Sequence, residues 1–306
     1  MSGLSLPAGP HGGEGPRLAA LLGVDPARVL DLSQSLNPVA PDPIPVIARH
    51  LGAVRHYPDP TDATRCLATR LGVDGGRVVL TNGGAEAIAL VAGHLGRGWV
   101  DEPEFSLYRR HLDTVDLDGA RFRSNPHNPS GLLAAPDEVA GVWDEAFYPL
   151  ATGEWTRGDA ERGSWVVGSL TKLLALPGLR LGYVIAPDED RAEMVRARQP
   201  LWSVGGPACS ALGDLLETVD LSAWHRRVAG LRRGLIDLLR ANGLTPRPSD
   251  ANWVLVDAPT LRTALAGHAI AVRDCTSFGM PGVVRIAVPG SEGMERLAAA
   301  LAHLGS

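Results

Sequence analysis

Lysine is nearly missing from this chain: of 29 basic residues, 28 are arginine and one, Lys172, is lysine. GC-rich coding, which also favours the abundant alanine, glycine and proline, explains such a bias without chemistry. A chemical reading stands beside it. Guanidinium stays protonated at any usable pH, so of the two cations only lysine can supply a neutral amine nucleophile. Cysteine is scarce as well. Cys66, Cys209 and Cys275 are widely spaced and odd in number, which gives neither a disulfide framework nor a zinc pattern, and no metal site is expected. No apolar run reaches the roughly 18–20 residues of a membrane span, and the opening MSGLSLPAGPHGGEGP has neither the basic region nor the apolar stretch of a secretory signal. A cytoplasmic protein without a membrane partner is expected. A net charge of -5 leaves no basic footprint for nucleic acid.

What is present is an ordinary globular composition. With 306 residues, 45% of them hydrophobic, the chain suits one large or two ordinary domains. Residues 1–60, rich in proline and glycine, read as an extended arm with a short helical piece around 46–51. Strand-like and helix-like segments then alternate: helix at 64–71, strand at 77–81, helix at 85–95, strands at 164–170 and 182–186. Such alternation predicts an α/β sheet covered by helices. Residues 188–239 are mostly helical, with a break at Gly205, Gly206 and Pro207. Strands at 253–257 and 283–288 and a closing helix at 293–304 predict a smaller α+β unit. The expected division is an arm at 1–38 joining the small domain, a large domain at 39–190 and the small domain at 191–306, hinged near 187–206.

Four constellations carry chemistry. In VVLTNGGAE (78–86) an apolar strand runs into two glycines and then a helix, which would aim bare N–H groups and the positive end of a helix dipole at an anion; a plain tight turn is the alternative. SNPHNPSG (124–131) is a proline-fixed loop in which Asn128 can turn its amide to a ligand oxygen. In VWDEAF (142–147), Asp144 ends an apolar stretch where a carboxylate needs a cation, a protonated heterocyclic nitrogen for example, unless it merely caps a turn. SLTKLLALPGLRLGY (169–183) gathers Ser169, Thr171, Lys172 and Arg180: hydroxyls and a guanidinium for a phosphate, beside one amine. Finally, AVRDCTSFGMPGVVRIAV (271–288) carries Arg273 and Arg285. Aimed at one pocket, they would suit a substrate with two anionic groups, although either could face solvent.

Taken together and in order, these segments resemble the pyridoxal-phosphate (PLP) enzymes of fold type I, the class I/II aminotransferase superfamily, over most of the chain. S-x-S/T-K with Arg eight residues on, N-P-x-N-P-S/T-G and D-E-A-F/Y carry the likeness. The resemblance implies a mostly parallel, seven-stranded-type sheet in a large PLP-binding domain with a smaller α+β domain. It makes Lys172 the Schiff-base and proton-shuttling lysine, Asp144 the partner of the ring nitrogen and Asn128 that of the ring hydroxyl. Gly84, Ala85, Ser169, Thr171 and Arg180 would surround the phosphate, and Phe105 in PEFSLY would stack on the ring. Tyr57 in HYPDP matches a tyrosine that reaches the cofactor of a neighbouring subunit, which implies a homodimer with shared sites.

Within the superfamily, VRDCTSF, PHGG (10–13), DLSQSLNP (31–38), QPLWSV (199–204) and Phe147 in place of the usual tyrosine resemble the threonine-phosphate decarboxylase type of cobalamin-pathway enzyme. His11 then becomes a candidate for the substrate phosphate, and Asn37 for the mouth of the pocket. Decarboxylation of L-threonine O-3-phosphate is the first expectation. An aminotransferase of the histidinol-phosphate type is the second, and PLP binding without turnover the third. The chain departs from the family in length. Residues 86–125 are compressed, and only twelve residues separate Gly131 from Asp144, where the family has a helix and a strand, so a compact variant is expected.

Overall fold

The computed structural model of the protein describes residues 9 and 12–304. After β1 (Leu30–Leu32) come β2 (Val78–Asn82), β3 (Arg97–Trp99), β4 (Thr114–Val115), β5 (Ala120–Ser124) and β6 (Val142–Asp144). β7 (Trp165–Ser169) and β8 (Leu181–Ile185) follow, and β9 (Trp253–Asp257), β10 (Ile270–Asp274) and β11 (Val283–Ala287) close the series. Seven of these strands form one sheet in the order β2-β8-β7-β6-β5-β3-β4. Every neighbouring pair is parallel except those of β8, which runs antiparallel to β2 and β7. The expected α/β architecture with a mostly parallel seven-stranded sheet is therefore observed.

Both faces of this sheet are buried, and the alternation of side chains sorts them. Val79, Val167 and Val184 pack with Ala87, Ile88 and Val91 of the helix Gly83–Leu95. Leu80, Val166 and Tyr183 point the other way, toward Leu67 of the helix Thr61–Leu71 and Leu212 of Gly206–Glu217. Strands apolar on every residue are what a sheet covered on both sides requires. A second, four-stranded sheet has the order β1-β10-β11-β9 and a core of its own around Val254, Val272 and Ile286. Its edge strand β1 pairs in parallel with β10, so residues 30–32 fold with the last third of the chain. No helix among the described residues is long and apolar enough to cross a membrane.

The first sixty residues hold more structure than an extended arm. Besides the helix Ile44–Arg49, they form the helix Gly15–Leu22 and β1. Glycine and proline at 15 and 16 read as coil, yet proline in the first turn of a helix loses no hydrogen bond and arrives with helical φ. Leu18 and Ala19 on that helix are fully buried.

The compressed segments kept the strands and gave up helix. Between Glu86 and Asn125 the strands β3, β4 and β5 are all present, and the helical material after β3 is reduced to Leu107–Arg110. From 125 to 141 the parallel strands β5 and β6 are joined by irregular chain, where a helix is the usual crossover. Arginine replaces the missing ladder. Arg157 donates to the carbonyls of Ala135, Pro136 and Glu138 while its guanidinium lies 4.6 Å from the ring centre of Trp143. Arg121 and Arg123 both grip the Glu138 carboxylate, which holds its pKa below the ordinary range, and Arg121 also donates to the Val139 carbonyl. Carbonyls that a helix would satisfy internally are thus met by side chains.

Candidate active site

In open α/β sheets ligands sit beyond the carboxyl ends of the strands. β5, β6 and β7 end there on Ser124, Asp144 and Ser169, with Ser124 and Asp144 paired in register. All three residues line a cavity of about 350 Å³ between the two sheets, with Arg273 and Arg285 on its far wall.

Gly84, Ala85, Ser169 and Arg180 gather at one end of it. Gly83 begins the helix at φ +77°, and a Cβ there would stand 2.3 Å from the Arg180 guanidinium; one on Gly84 would press within 3.2 Å of Ser169. Glycine is thus required where the helix N-terminus approaches the cation, and the space kept open suits a phosphate facing bare N–H groups. Arg180 itself holds φ +57°, a conformation rare for a residue with a Cβ, and it donates to the Pro177 carbonyl. Lys172 lies on the single helical turn Leu170–Leu173 that follows β7, partly buried beside Thr171. Burial first, and then the charges of Arg285, Arg180 and Arg273, push its pKa down to about 8; Asp31 opposes them weakly.

Asp144 accepts a hydrogen bond from the Tyr108 hydroxyl at 2.8 Å and one from the Ala146 amide at 2.9 Å. Burial nevertheless holds its pKa above the usual carboxylate value, the mark of an anion that lacks a cation. Phe105 lines the same cavity and meets Tyr108 edge to face. Asn128 is buried in the loop after β5 and takes a hydrogen bond from Arg285 Nη1 at 2.7 Å. Arg273 and Arg285 face each other across β10 and β11 and are 3% and 6% exposed, so neither is the solvent-facing residue that arginine usually is. Arg285 lies 4.9 Å from the ring centre of Trp253, its Nε is buried with no hydrogen-bond partner, and burial, reinforced by Arg273, lowers its pKa to about 10. Arg273 donates to Ser277 Oγ and stands over Phe278. Adjacent buried like charges are costly without an anion between them.

Three expected site residues are placed elsewhere or not described. Asn37 does not line the cavity: its amide donates to the Leu173 carbonyl and its backbone N–H to that of Lys172, so it braces the lysine turn from behind. Tyr57 is 78% exposed and stacked on Trp202 at 4.5 Å, outside its own chain's cavity. His11 lies outside the described residues, next to the lining residues Gly12 and Gly13. Sequence reasoning overlooked Ser33, Gln34, Ser124 and Tyr108. Asp31 organises the first two, accepting from the Ser33 hydroxyl and the Gln34 amide. The spacing of Tyr108 three residues beyond Phe105, one helical turn, was a signal available for it.

Counted over the described lining, the cavity holds four cationic side chains (Lys172, Arg180, Arg273, Arg285) and one carboxylate, Asp144. Such a site recruits anionic ligands. The residues present fit pyridoxal phosphate: a glycine cradle with a guanidinium for its phosphate, an underpaired buried carboxylate for its ring nitrogen, and a low-pKa amine for its aldehyde.

Comparison with known proteins agrees. Residues 120–301 match the model of the aminotransferase class I and II family. The chain is 29% identical to the threonine-phosphate decarboxylase of Salmonella typhimurium, with 96% of each protein covered, and 29% identical to histidinol-phosphate aminotransferase 2 of Pseudomonas aeruginosa, covering 93% of this chain and 91% of that protein. The first alignment runs over 357 positions for a chain of 306 residues, so gaps fall on this side, as its compressed segments require. The fold is that of the histidinol-phosphate aminotransferase of Sinorhizobium meliloti solved with pyridoxal-5'-phosphate, with a TM-score of 0.78 at 19% identity over 98% of this chain and 95% of that one. With its lone lysine set among three arginines at the end of β7, the chain belongs to the class I and II aminotransferase family and is a fold type I, PLP-dependent enzyme of the decarboxylase or aminotransferase kind.

Proposed function

We propose that the protein binds pyridoxal phosphate at Lys172 and decarboxylates a small phosphorylated amino acid, L-threonine O-3-phosphate, as a step of cobalamin biosynthesis. The observation that carries this reading is the excess of cations around the cavity: after one guanidinium is assigned to the cofactor phosphate, two more, those of Arg273 and Arg285, lie buried side by side on its wall. A substrate bearing a carboxylate and a phosphate supplies both anions, each matched to a planar guanidinium fork.

Bound here, the cofactor would supply an electron sink for the substrate's α-carbon. The protein's own groups do the rest. Asp144 would keep the ring nitrogen protonated, Asn128 would hold the ring hydroxyl, and Phe105 would cover the ring. Phe147 has no hydroxyl to offer the ring; it packs edge to face on Trp253 at 4.6 Å, the ring against which Arg285 also lies. Lys172, uncharged in part near neutrality, takes or returns a proton at the α-carbon. The Salmonella typhimurium relative and the VRDCTSF segment favour decarboxylation. Transamination of a histidinol-phosphate-like substrate is the second reading, supported by relatives of the same identity.

A homodimer with shared sites is part of the proposal. Tyr57 and Trp202, 78% and 56% exposed, stack on each other, and Leu51, Val54 and Leu201, close to them in sequence, are exposed as well; apolar surface gathered in this way is normally covered by a partner.

Threonine O-phosphate decides between the reactions. Incubated with the cofactor-loaded enzyme, it is expected to release carbon dioxide and leave the cofactor in its aldehyde form over many turnovers. Stoichiometric pyridoxamine phosphate and a keto acid would establish the aminotransferase reading instead, and absence of any spectral response to phosphorylated amino acids would leave binding without turnover.

A further inference from the structure

Glu104 stands directly before Phe105 and is 3% exposed. Its carboxylate accepts three hydrogen bonds: from the Ser124 hydroxyl, from the Ser124 amide at 3.1 Å and from the Phe105 amide at 3.0 Å. Ser124 Oγ in turn accepts from the backbone N–H of Asn128 at 2.7 Å. One buried charge therefore ties the chain at the ring-stacking residue to the chain at the ring-hydroxyl residue.

Each group in hydrogen-bond contact with this carboxylate donates to it, and two of the three, the amides of Phe105 and Ser124, can do nothing else. The nearby ring nitrogen of His127 stands 3.9 Å off and is already bonded to the Pro103 carbonyl, while Nδ1 meets Ser130. His127 is kept neutral by burial and by Arg123. Arg123 is the cation that favours the charged form; Glu102 accepts the Glu104 amide, and on the side of Ser124 stands Tyr108, a phenol that burial and the Asp144 and Glu104 carboxylates keep protonated and that donates to Asp144. Protonated, Glu104 would lose the charge that draws these donors, and its proton could go only to Ser124 Oγ, which would reverse that bond. Burial still pulls it toward the neutral form and raises its pKa to about 7. A carboxyl held above its ordinary 4.5 makes folding less favourable as pH rises from 4.5 through about 7, a burden that an apolar residue at 104 would not impose.

We propose that Glu104 is a positioning residue of the cofactor site: as a carboxylate it fixes Ser124, through which it seats Asn128, and with the same charge it fixes the backbone of Phe105. The proposal rests on the pyridoxal-phosphate reading. Affinity for the cofactor rises as Glu104 ionises, and Glu104→Gln, which turns an N–H toward one of the donors, reproduces the protonated form at every pH.

The test is equilibrium binding of pyridoxal phosphate to the apoprotein, followed by tryptophan quenching from about pH 5.5 to about pH 8.5 in the wild type and in E104Q. Near pH 5.5 the two should agree, and near pH 8.5 the variant should bind roughly tenfold more weakly, the scale of hydrogen bonds to a charged group, with the ratio changing around pH 7. A ratio constant across the range, or equal affinities throughout, overturns the proposal. Should E104Q fail to fold, Ser124→Ala removes the hydroxyl that joins Glu104 to Asn128 and leaves the carboxylate its two amide donors. It should weaken binding and flatten the profile in the same way, and unchanged affinity and slope would overturn the idea as surely. Wild-type protein that binds no pyridoxal phosphate at any pH refutes the cofactor reading and this proposal with it, whereas binding indifferent to Glu104 refutes this proposal alone.

Discussion

Lys172→Arg abolishes the visible absorbance of the cofactor-loaded protein and lowers turnover by about 10³-fold or more, within the range that a positioned proton-transfer group alone contributes. The substitution preserves charge and most of the side-chain volume, so the fold is expected to survive and melting temperature to change little. Only the capacity to lose a proton disappears. At a pKa of about 8, roughly a tenth of Lys172 is neutral at pH 7, whereas an amine at the ordinary 10.5 would be neutral in about one molecule in three thousand. Burial and three neighbouring guanidinium groups make this difference, and they would not bring an arginine in that place near neutrality. In the wild-type apoprotein the rate of covalent cofactor capture should therefore climb about tenfold per pH unit up to pH 8 and level off above it. A K172R protein with an undiminished visible band would show that the cofactor is held without the lysine.

Asp144→Ala is expected to reduce kcat/KM by roughly 10²- to 5 × 10³-fold, corresponding to the about 3–5 kcal/mol lost when one partner of a buried ion pair is removed. Asp144 is the only carboxylate among the described lining residues, and its two protein hydrogen bonds, from Tyr108 and Ala146, come from uncharged donors. The raised pKa in the structure should fall below the ordinary value once a ring cation sits against it, which stability measurements on the loaded protein would register as resistance to mild acid. Asp144→Asn keeps the shape and one acceptor for Tyr108 while removing the charge. It should lose nearly as much activity as the alanine variant and retain more cofactor. Activity within fivefold of wild type in either variant would remove Asp144 from its assigned role.

Much of the site can be read from the chain because its chemistry is local. Ser169, Thr171, Lys172 and Arg180 lie within twelve residues, and Gly83 is glycine because its φ is left-handed where the helix begins against an arginine, with Gly84 close behind it against Ser169. Arg273 and Arg285 were legible as a pair of anion ligands, although their placement in opposed registers of β10 and β11 was not: the segment between them looks like loop, and β10 is identified only by its pairing with β1 and β11. β1 itself is three residues long and becomes a strand through a partner 240 residues away. Side chains whose role depends on a third residue stayed hidden. Asn37 was assigned to the pocket and instead braces the Lys172 turn, since whether an amide faces a ligand or a neighbouring carbonyl is decided by tertiary packing. Glu104 escaped notice because an acidic residue in a short acidic stretch is normally solvated. The compressed segments are legible only as missing length; that the loss fell on helices, with Arg157, Arg121 and Arg123 meeting the exposed carbonyls, is visible in three dimensions alone.

One measurement tests the central assignment most directly. The loaded enzyme is treated with borohydride, which reduces a carbon–nitrogen double bond to a stable single bond, then digested and mapped by mass. With one lysine in the chain, the account predicts the phosphopyridoxyl group on the peptide carrying Lys172, in one copy per chain. Cofactor released unattached after reduction, or found on any other residue, would contradict it.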